Sequence, residues 1–526
     1  MDGKRPTVAS RHGVVAASHP LAAAAGARIL GRGGNAFDAA VAAAAALGVV
    51  EPFASGLAGH GVATCWVAGD QRIRTLAFGA VVPKRFPVGR FSRHEELRFG
   101  AMAVAPPGSL AGWYNLVSAH GTRTFAEALA PAILLARDGF PLTGFNAAAI
   151  NRSAGVLRDQ PFFDAWNAAF TEGRGSVRPG QVLRQPDLAA TLEAIAAEGT
   201  KALYGGRLGQ KLVAHLQSLG GCMALADLAE VSPAWGRPVS AACRGLIVHT
   251  PRPPSQAFQL ILALRILDGF DLAGMERDGA LHLDIVWRAM RLAATERIAR
   301  ADPPPEELDQ LLADESVARL RSRVADGRPL EGRTGPGPGP QADGASLAVA
   351  DRAGNMLCIT QSLGSPFGGV VLVPGTGLCL NNALYAGDPN PDAINGLRPG
   401  RPLATPMAPL VATRNGAPVL ALATPGGSHI GQIQTQVLVQ HLDFGLPLAD
   451  AIDAPRARLL AGRRVAAESR FSMAALEALG EHGHEIEPQT AWAPQSGGVQ
   501  AVSADPVTRV MTGAADPRRD GYVATS

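Results

Sequence analysis

Two alanine-rich stretches open the chain, and each keeps its apolar residues at helical spacing. They predict a first helix over residues 21–30, with Ser18 and Pro20 as its N-cap and first turn, and a second helix over residues 35–47. The glycines within residues 31–34 separate the two helices. Because residues 39–50 are apolar almost throughout, we expect the second helix to be buried.

Short alternating runs of apolar and polar residues predict strands. Residues 62–67 and 72–78 form a predicted β-hairpin, and residues 243–250 a further strand. After residue 343 short β-runs dominate, at 346–349, 356–361, 370–373, 378–380, 409–413 and 419–424. A linker rich in glycine and proline, residues 328–343, separates the helix-rich first part from this strand-rich second part. The order predicts an α+β fold with helices outside stacked sheets.

The composition is typical of a folded protein with a large core. The 526 residues are 47% hydrophobic and 18% charged, with a formal net charge of +3, which argues against nucleic-acid or membrane-surface binding. The apolar stretch 39–50 is too short to span a bilayer, and the N-terminal residues show no secretory signal. Five widely spaced cysteines favour buried thiols in a reducing compartment. We therefore expect a cytoplasmic protein.

Five blocks follow one another in the order and spacing of a single family. They are residues 13–52 (GVVAASHPLAAAAGARILGRGGNAFDAAVAAAAALGVVEP), 242–255 (ACRGLIVHTPRPPS), 351–382 (DRAGNMLCITQSLGSPFGGVVLVPGTGLCLNN), 423–428 (ATPGGS) and 515–518 (ADPR). Through them the chain resembles the γ-glutamyltranspeptidases. The resemblance implies a four-layer αββα sandwich of the N-terminal-nucleophile hydrolase type. It also implies a large-subunit-like region, 1–343, and a small-subunit-like region, 344–526, that together form one composite fold.

The resemblance also implies a mechanism. Members of the family are made as one inactive chain that cuts itself in the linker region. The threonine freed at the new N-terminus is the nucleophile, and its own α-amine is the base. By the same resemblance, Ser362 is the hydroxyl beside the nucleophile, and the backbone amides of Gly426 and Gly427 hold the oxyanion. Ser428 and Asn382 belong to the same site.

The nucleophile position departs from the family pattern. Counting back from Asp351 without a gap places Gly344 at that position, and glycine has no hydroxyl. We therefore expect a chain that stays unprocessed. Ser346 faces the same side of its strand, displaced by about 6–7 Å, and is a candidate for a shifted nucleophile. The alternative interpretation of Ser346 is a solvent-exposed residue at the start of a strand.

The substrate clamp departs as well. Gly79 and Ala80 stand where the family has an arginine and a glutamate, and Ala386 where it has the carboxylate that holds the substrate amine. The family's two vicinal serines are Ala404 and Thr405 here. A zwitterionic group needs a fixed cation and a fixed anion, since desolvating an unpaired charge costs several kcal/mol. The sequence thus argues against γ-glutamyl substrates.

Two hypotheses of function remain. One is a divergent amide or acyl hydrolase or transferase, with Ser346 or Ser362 as catalytic residues and Thr405 and His60 in the substrate site. The other is an inactive, unprocessed homologue with a binding or regulatory role. His60 and His429 have the alternative interpretation of structural loop histidines. We expect a small-molecule ligand, no metal, no cofactor, no nucleic acid and no membrane, and pairing with a second copy or a paralogue.

Overall fold

The computed structural model describes residues 7–332 and 343–526. Their strands are β1 (Val8–Ser10), β2 (Gly13–Ala17), β3 (His60–Val67), β4 (Arg72–Phe78), β5 (Phe140–Pro141), β6 (Val182–Leu183), β7 (Ala234–Gly236), β8 (Val239–Cys243), β9 (Leu246–Thr250), β10 (Asp343–Asp351), β11 (Met356–Gly364), β12 (Leu372–Val373), β13 (Leu378–Cys379), β14 (Leu410–Arg414), β15 (Ala417–Ala423), β16 (Ala457–Leu459), β17 (Arg464–Glu468), β18 (Glu485–Gln489), β19 (Gln500–Ala504), β20 (Met511–Ala515) and β21 (Tyr522–Thr525).

The helices surround these strands. They are α1 (Pro20–Gly31), α2 (Ala36–Val50), α3 (Ser109–His120), α4 (Phe125–Asp138), α5 (Gly144–Leu157), α6 (Phe163–Thr171), α7 (Pro186–Glu198), α8 (Lys201–Tyr204), α9 (Arg207–Ser218), α10 (Leu225–Ala229), α11 (Phe258–Leu267), α12 (Ala280–Arg300), α13 (Pro305–Leu311), α14 (Asp314–Ala325), α15 (Ile430–Leu442), α16 (Leu448–Asp453) and α17 (Met473–Glu481). Short 3-10 helices cover His94–Leu97, Ala101–Ala103, Ala383–Ala386, Gly427–His429 and Pro494–Ser496.

Two sheets of seven strands each form the centre of the described residues. The first sheet has the order β21–β2–β10–β11–β3–β4–β7, and the second the order β1–β20–β19–β15–β14–β9–β8. Small apolar side chains such as Val14, Ala348, Val411 and Val502 fill the space between the sheets. α2 covers the outer face of the first sheet, and α11 that of the second. The predicted four-layer αββα sandwich is confirmed.

The helix α2 shows how the sequence builds one outer layer. Asn35 accepts hydrogen bonds from the amides of Phe37 and Asp38, and the Asp38 carboxylate accepts one from the amide of Asn35, which completes a capping box. Almost every side chain of the helix is buried, in keeping with its apolar sequence. The predicted end at residue 47 was too early, because the helix continues to Val50.

The start of α1 differs from the prediction. His19, not Ser18, is the N-cap, and its Nδ1 accepts a hydrogen bond from the amide of Leu21 at 3.2 Å. The Ser18 hydroxyl instead donates to the carbonyl of Ser346 at 3.0 Å and accepts from the amide of Ser346 at 3.0 Å. It thereby joins the end of β2 to β10. The predicted strand 243–250 is in fact a hairpin of β8 and β9.

A buried ionic network fastens the C-terminal segment around residues 516–518 to the core. Arg518 donates to Glu468 from Nε at 2.5 Å and from Nη2 at 2.8 Å, and to Asp516 from Nη1 at 3.2 Å. Arg470 donates to Glu468 at 2.6 Å, and Arg456 donates to Asp516. Glu468, Asp516 and Arg518 are at most 3% exposed. Each buried charge here has an opposite partner.

Other expectations have mixed outcomes. Among the described helices, none is both long and apolar enough to cross a membrane. All five cysteines are free thiols; Cys65, Cys243 and Cys358 are buried, as predicted, whereas Cys222 and Cys379 are only half-buried. Most of the predicted linker, residues 333–342, lies outside the described residues.

Candidate active site

Four neighbouring strands of the first sheet end side by side, and one residue from each forms a row. β10 contributes Gly344, β11 Ser362 and β3 His60, while Gly79 directly follows β4. Ser362 lies directly opposite His60 in the antiparallel register of β11 and β3. Gly79 comes next to His60, because the preceding residue of β4 pairs with Gly61. We call Gly344, Ser362, His60 and Gly79 the end row.

Gly344 faces the turn of residues 425–428 across the gap between the two sheets. A Cβ atom built on Gly344 would lie 3.6 Å from the Cβ of Ser362 and 3.8 Å from the Cβ of Pro425. A side chain at this position would therefore project between Ser362 and the turn. This is the place that the resemblance assigns to the nucleophile, and glycine supplies no hydroxyl to it.

The turn itself requires glycine at two successive positions. Gly426 has φ of 145° and Gly427 has φ of 54°, and a Cβ on Gly426 would come within 2.7 Å of the Cδ1 of Ile433. Their amides stand at the start of the 3-10 helix Gly427–His429 and of α15, where the first N–H groups lack partners within the helix and the helix dipole favours an anion. The turn can therefore hold an oxyanion.

Two hydrogen bonds of the Thr424 hydroxyl hold this turn in place. The hydroxyl of Thr424 donates to the carbonyl of Pro425 at 2.8 Å and accepts from the amide of Gly498 at 3.2 Å. Gly426 is half-buried and Ser428 is exposed, so the front of the turn is open to solvent. Gly427 between them is buried, so access to the turn is from the side of Gly426 and Ser428.

Ser362 and His60 are the two residues of the end row with polar side chains. Side chains that lie directly opposite in an antiparallel pair have Cβ atoms about 4.5–5.5 Å apart. The Ser362 hydroxyl accepts a hydrogen bond from the amide of Gly364 at 2.7 Å. His60 is 8% exposed, and its Nδ1 has no hydrogen-bond partner among the described residues. Burial lowers the pKa of His60 to about 4, so the imidazole is neutral at pH 7 and can accept a proton.

The other predicted catalytic residue, Ser346, lies deeper between the sheets. It is fully buried, and its hydroxyl donates to the carbonyl of Gly498 at 3.4 Å. The alternative interpretation, a solvent-exposed residue, was therefore wrong, because β10 is an inner strand covered by the second sheet. Ser362, which is 5% exposed, lies nearer the surface than Ser346.

The predicted substrate-binding residues divide into two groups. Thr405 lies at the edge of the site: its carbonyl accepts from the amide of Gln256 at 2.7 Å, and its side chain is half-buried. Asn382 is instead 1% exposed and joins loops, since its side chain bonds the amide of Ser365 and the carbonyl of Arg98. The clamp positions carry no charge: Gly79 has open space around its Cβ position, and Ala386 is exposed.

A group of cations beside the turn escaped the sequence analysis. Arg297, in the last turn of α12, is 7% exposed, and Arg458 of β16 is half-buried. Both repel a proton on His429, which directly follows the turn; burial is the larger influence, and the pKa of His429 falls to about 4. No sequence signal marks these arginines, because an arginine near the end of a helix normally points to solvent. In the described ranges, no group of three His, Cys, Asp or Glu side chains could hold a metal ion.

Buried histidines predict a stability that falls in acid. His19, His60 and His282 are at most 8% exposed, and burial lowers the pKa of each to about 4. Between pH 6.5 and 4 the unfolded chain binds protons that the folded protein does not. Folding therefore loses about 1.4 kcal/mol per pH unit for each of these histidines, and the loss stops below pH 4.

Urea unfolding at pH 7.0 and 5.5 measures this loss. His19→Asn is the matched variant, because asparagine keeps the N-cap acceptor for α1 but does not titrate. We expect a shallower pH dependence for His19→Asn than for the natural protein. Equal slopes would contradict the assignment of His19.

Comparison with known families identifies the chain. The sequence profile described as Gamma-glutamyltranspeptidase matches residues 22–526. The chain belongs to the γ-glutamyltranspeptidase family. The predicted resemblance is thereby confirmed.

Two proteins and one crystal structure that are named as acylases or an amidohydrolase are also similar to this γ-glutamyltranspeptidase-family chain. The Acylase ACY 1 proenzyme of Pseudomonas sp. (strain SE83) is 36% identical over 541 residues, covering 98% of this chain and 94% of the relative. The Oxamate amidohydrolase proenzyme of Klebsiella pneumoniae is 30% identical over 536 residues, covering 98% of both. The crystal structure of cephalosporin acylase from Bacillus halodurans superimposes with a TM-score of 0.92 at 30% identity, covering 100% of this chain and 98% of that one.

Proposed function

We propose that the protein hydrolyses the amide bond of a substrate without a γ-glutamyl group, with Ser362 as the nucleophile and His60 as its base. The observation that carries the proposal is the end row, in which Ser362 and His60 lie opposite each other between two glycines. The chain thus has a hydroxyl directly opposite a neutral imidazole, and the Gly344 position lies between that hydroxyl and the turn that can hold an oxyanion.

The substrate class follows from the empty clamp. The positions assigned to the cation and the carboxylate that grip a γ-glutamyl group are Gly79 and Ala386, neither of which carries a charge. Free space around Gly79 also leaves room for a different acyl group. The similarity to an acylase and to an oxamate amidohydrolase supports an amide other than a γ-glutamyl one.

The reaction can be written from these residues. The Ser362 oxygen adds to the amide carbonyl while its proton passes to His60, and the amides of Gly426 and Gly427 stabilise the oxyanion. His60 then returns the proton to the leaving amine, and an ester on Ser362 remains. Water, deprotonated by His60, cleaves this ester and releases the acid; an acceptor amine in place of water would give acyl transfer.

Gly344 favours a second candidate function. Without a hydroxyl at position 344 the family's self-cleavage has no nucleophile, so an uncut chain in which Ser362 is also inactive would serve as a binding or regulatory protein. A cytoplasmic location, pairing with a second copy or a paralogue, and the boundary at residues 343/344 remain predictions under either candidate.

Labelling with a fluorophosphonate distinguishes the two candidates. We expect one uncut polypeptide that carries the label on Ser362, located by peptide mass spectrometry. Ser362→Ala should lose the label, whereas Ser346→Ala, the matched control on β10, should keep it. A protein that takes no label and hydrolyses no N-acyl amide would favour the binding role. A label on Ser346, or two fragments formed by a cut near residue 344, would contradict the proposed nucleophile.

A further inference from the structure

We propose that Arg297, Arg458 and His429 form an anion site beside the oxyanion turn, and that it holds a carboxylate on the acyl part of the substrate. The inference rests on the proposed function only in naming the substrate as the ligand. The anion site itself follows from unpaired positive charge.

Arg297 is buried without an opposite charge. Its Nη1 donates to the side-chain oxygen of Gln256 at 2.6 Å, and its Nε has no partner among the described residues. Burial alone shifts its pKa, down to about 10, with no contribution from a carboxylate. This contrasts with Arg518, which is equally buried and has Glu468 and Asp516 as partners.

Arg458 adds a second unsatisfied guanidinium. Its Nε is buried without a partner among the residues described, and burial is the main cause that lowers its pKa. Glu487 is the one carboxylate that acts on it, and Glu487 already pairs with Arg464. A cation that lacks a counter-charge inside a protein is unfavourable, and an arriving anion would supply that charge.

The position of the two arginines ties them to the active site. Arg297 binds the side chain of Gln256, and the backbone amide of Gln256 donates to the carbonyl of Thr405 at 2.7 Å. Strand β16, which carries Arg458, hydrogen-bonds the first turn of α15, and His429 directly precedes that helix. Ser428 is exposed and His429 half-buried, so the end of the site next to the turn reaches solvent.

The chemistry of the three groups defines the ligand. Guanidinium groups bind carboxylates and phosphates with paired N–H donors, and a neutral imidazole beside them can donate one more hydrogen bond. These three groups therefore favour an anion such as a carboxylate.

Calorimetric titration of Ser362→Ala tests the site without turnover, so that a failure of the proposed catalysis leaves the result unaffected. The probes are succinate, the uncharged succinamide and inorganic phosphate. We expect succinate to bind at least tenfold more tightly than succinamide and than phosphate. Arg297→Gln added to this protein should weaken succinate binding at least tenfold, and Arg297→Lys less.

Arg291→Gln is the matched control. Arg291 is also a buried arginine of α12, but it donates to backbone carbonyls such as that of Leu460. Arg458→Gln, at a half-buried position, serves as the second test should Arg297→Gln fail to fold. Equal binding of succinate and succinamide would overturn the site, as would equal losses in Arg291→Gln and Arg297→Gln. Tighter binding of phosphate would overturn the carboxylate assignment.

Discussion

Replacing Ser362 by alanine is expected to lower kcat/KM for amide hydrolysis at least about 10³-fold, since loss of a nucleophile removes the covalent route altogether. Thr360→Val is the matched control. Thr360 lies two residues earlier on the same face of β11, is 2% exposed, and its hydroxyl has no partner among the described residues. Removing that hydroxyl should leave the activity unchanged. A Ser362→Ala protein with the natural rate would eliminate Ser362 as the nucleophile.

The proposed role of His60 as the base predicts how kcat/KM depends on pH. The base must be neutral to accept the proton of Ser362, and burial lowers its pKa to about 4. The acid limb of kcat/KM should therefore have its midpoint near pH 4 instead of near 6.5. His60→Asn should reduce the rate and remove this limb. A midpoint at 6.5 would show that another, solvated histidine supplies the base.

Replacing Glu468 by alanine should destabilise the fold by about 3–5 kcal/mol, the usual cost of leaving a buried ion without its partner. Glu468 is fully buried and accepts hydrogen bonds from both Arg518 and Arg470. Its loss would remove a carboxylate partner from the half-buried Arg470 and from the buried Arg518, which would keep Asp516. Since folded proteins are stable by only about 5–15 kcal/mol, the midpoint of urea unfolding should fall strongly.

Glu487→Ala is the control for Glu468→Ala. Glu487 also pairs with an arginine, Arg464, but both side chains reach solvent. Exposed pairs contribute little to stability, so the unfolding midpoint should hardly move. Equal effects of the two substitutions would mean that the buried network does not support the fold.

The sequence predicted the parts of the fold that depend on local pattern. The buried helix α2, the hairpin of β3 and β4, and the glycine turn at residues 426–427 all follow from short-range chemistry. Ser18 was misassigned, because a serine before a proline fits an N-cap equally well whether or not a distant strand claims its hydroxyl. Such competition cannot be seen within the local sequence.

The site was predictable only as far as the family blocks extend. They predicted Ser362 and the turn, whereas His60 lies outside them and was predicted only as a residue of the substrate site. The pairing of Ser362 with His60 depends on the register between β11 and β3, which lie far apart in sequence. Arg297 was missed for a related reason: its burial comes from the packing of α12 against α15, and no residue near it in sequence indicates that contact.

The strand order has a consequence for how the polypeptide can be assembled. Both sheets combine strands that precede residue 333 with strands that follow residue 342; β10 and β11, for example, lie between β2 and β3. Each stretch alone would expose unpaired strand edges and an apolar sheet face to water. Two separately synthesised pieces should thus each be insoluble. When they are made together, the strands of one piece should pair with the strands of the other. Architecture of this kind lends itself to a split reporter, in which reunion of the halves signals that two attached proteins have met.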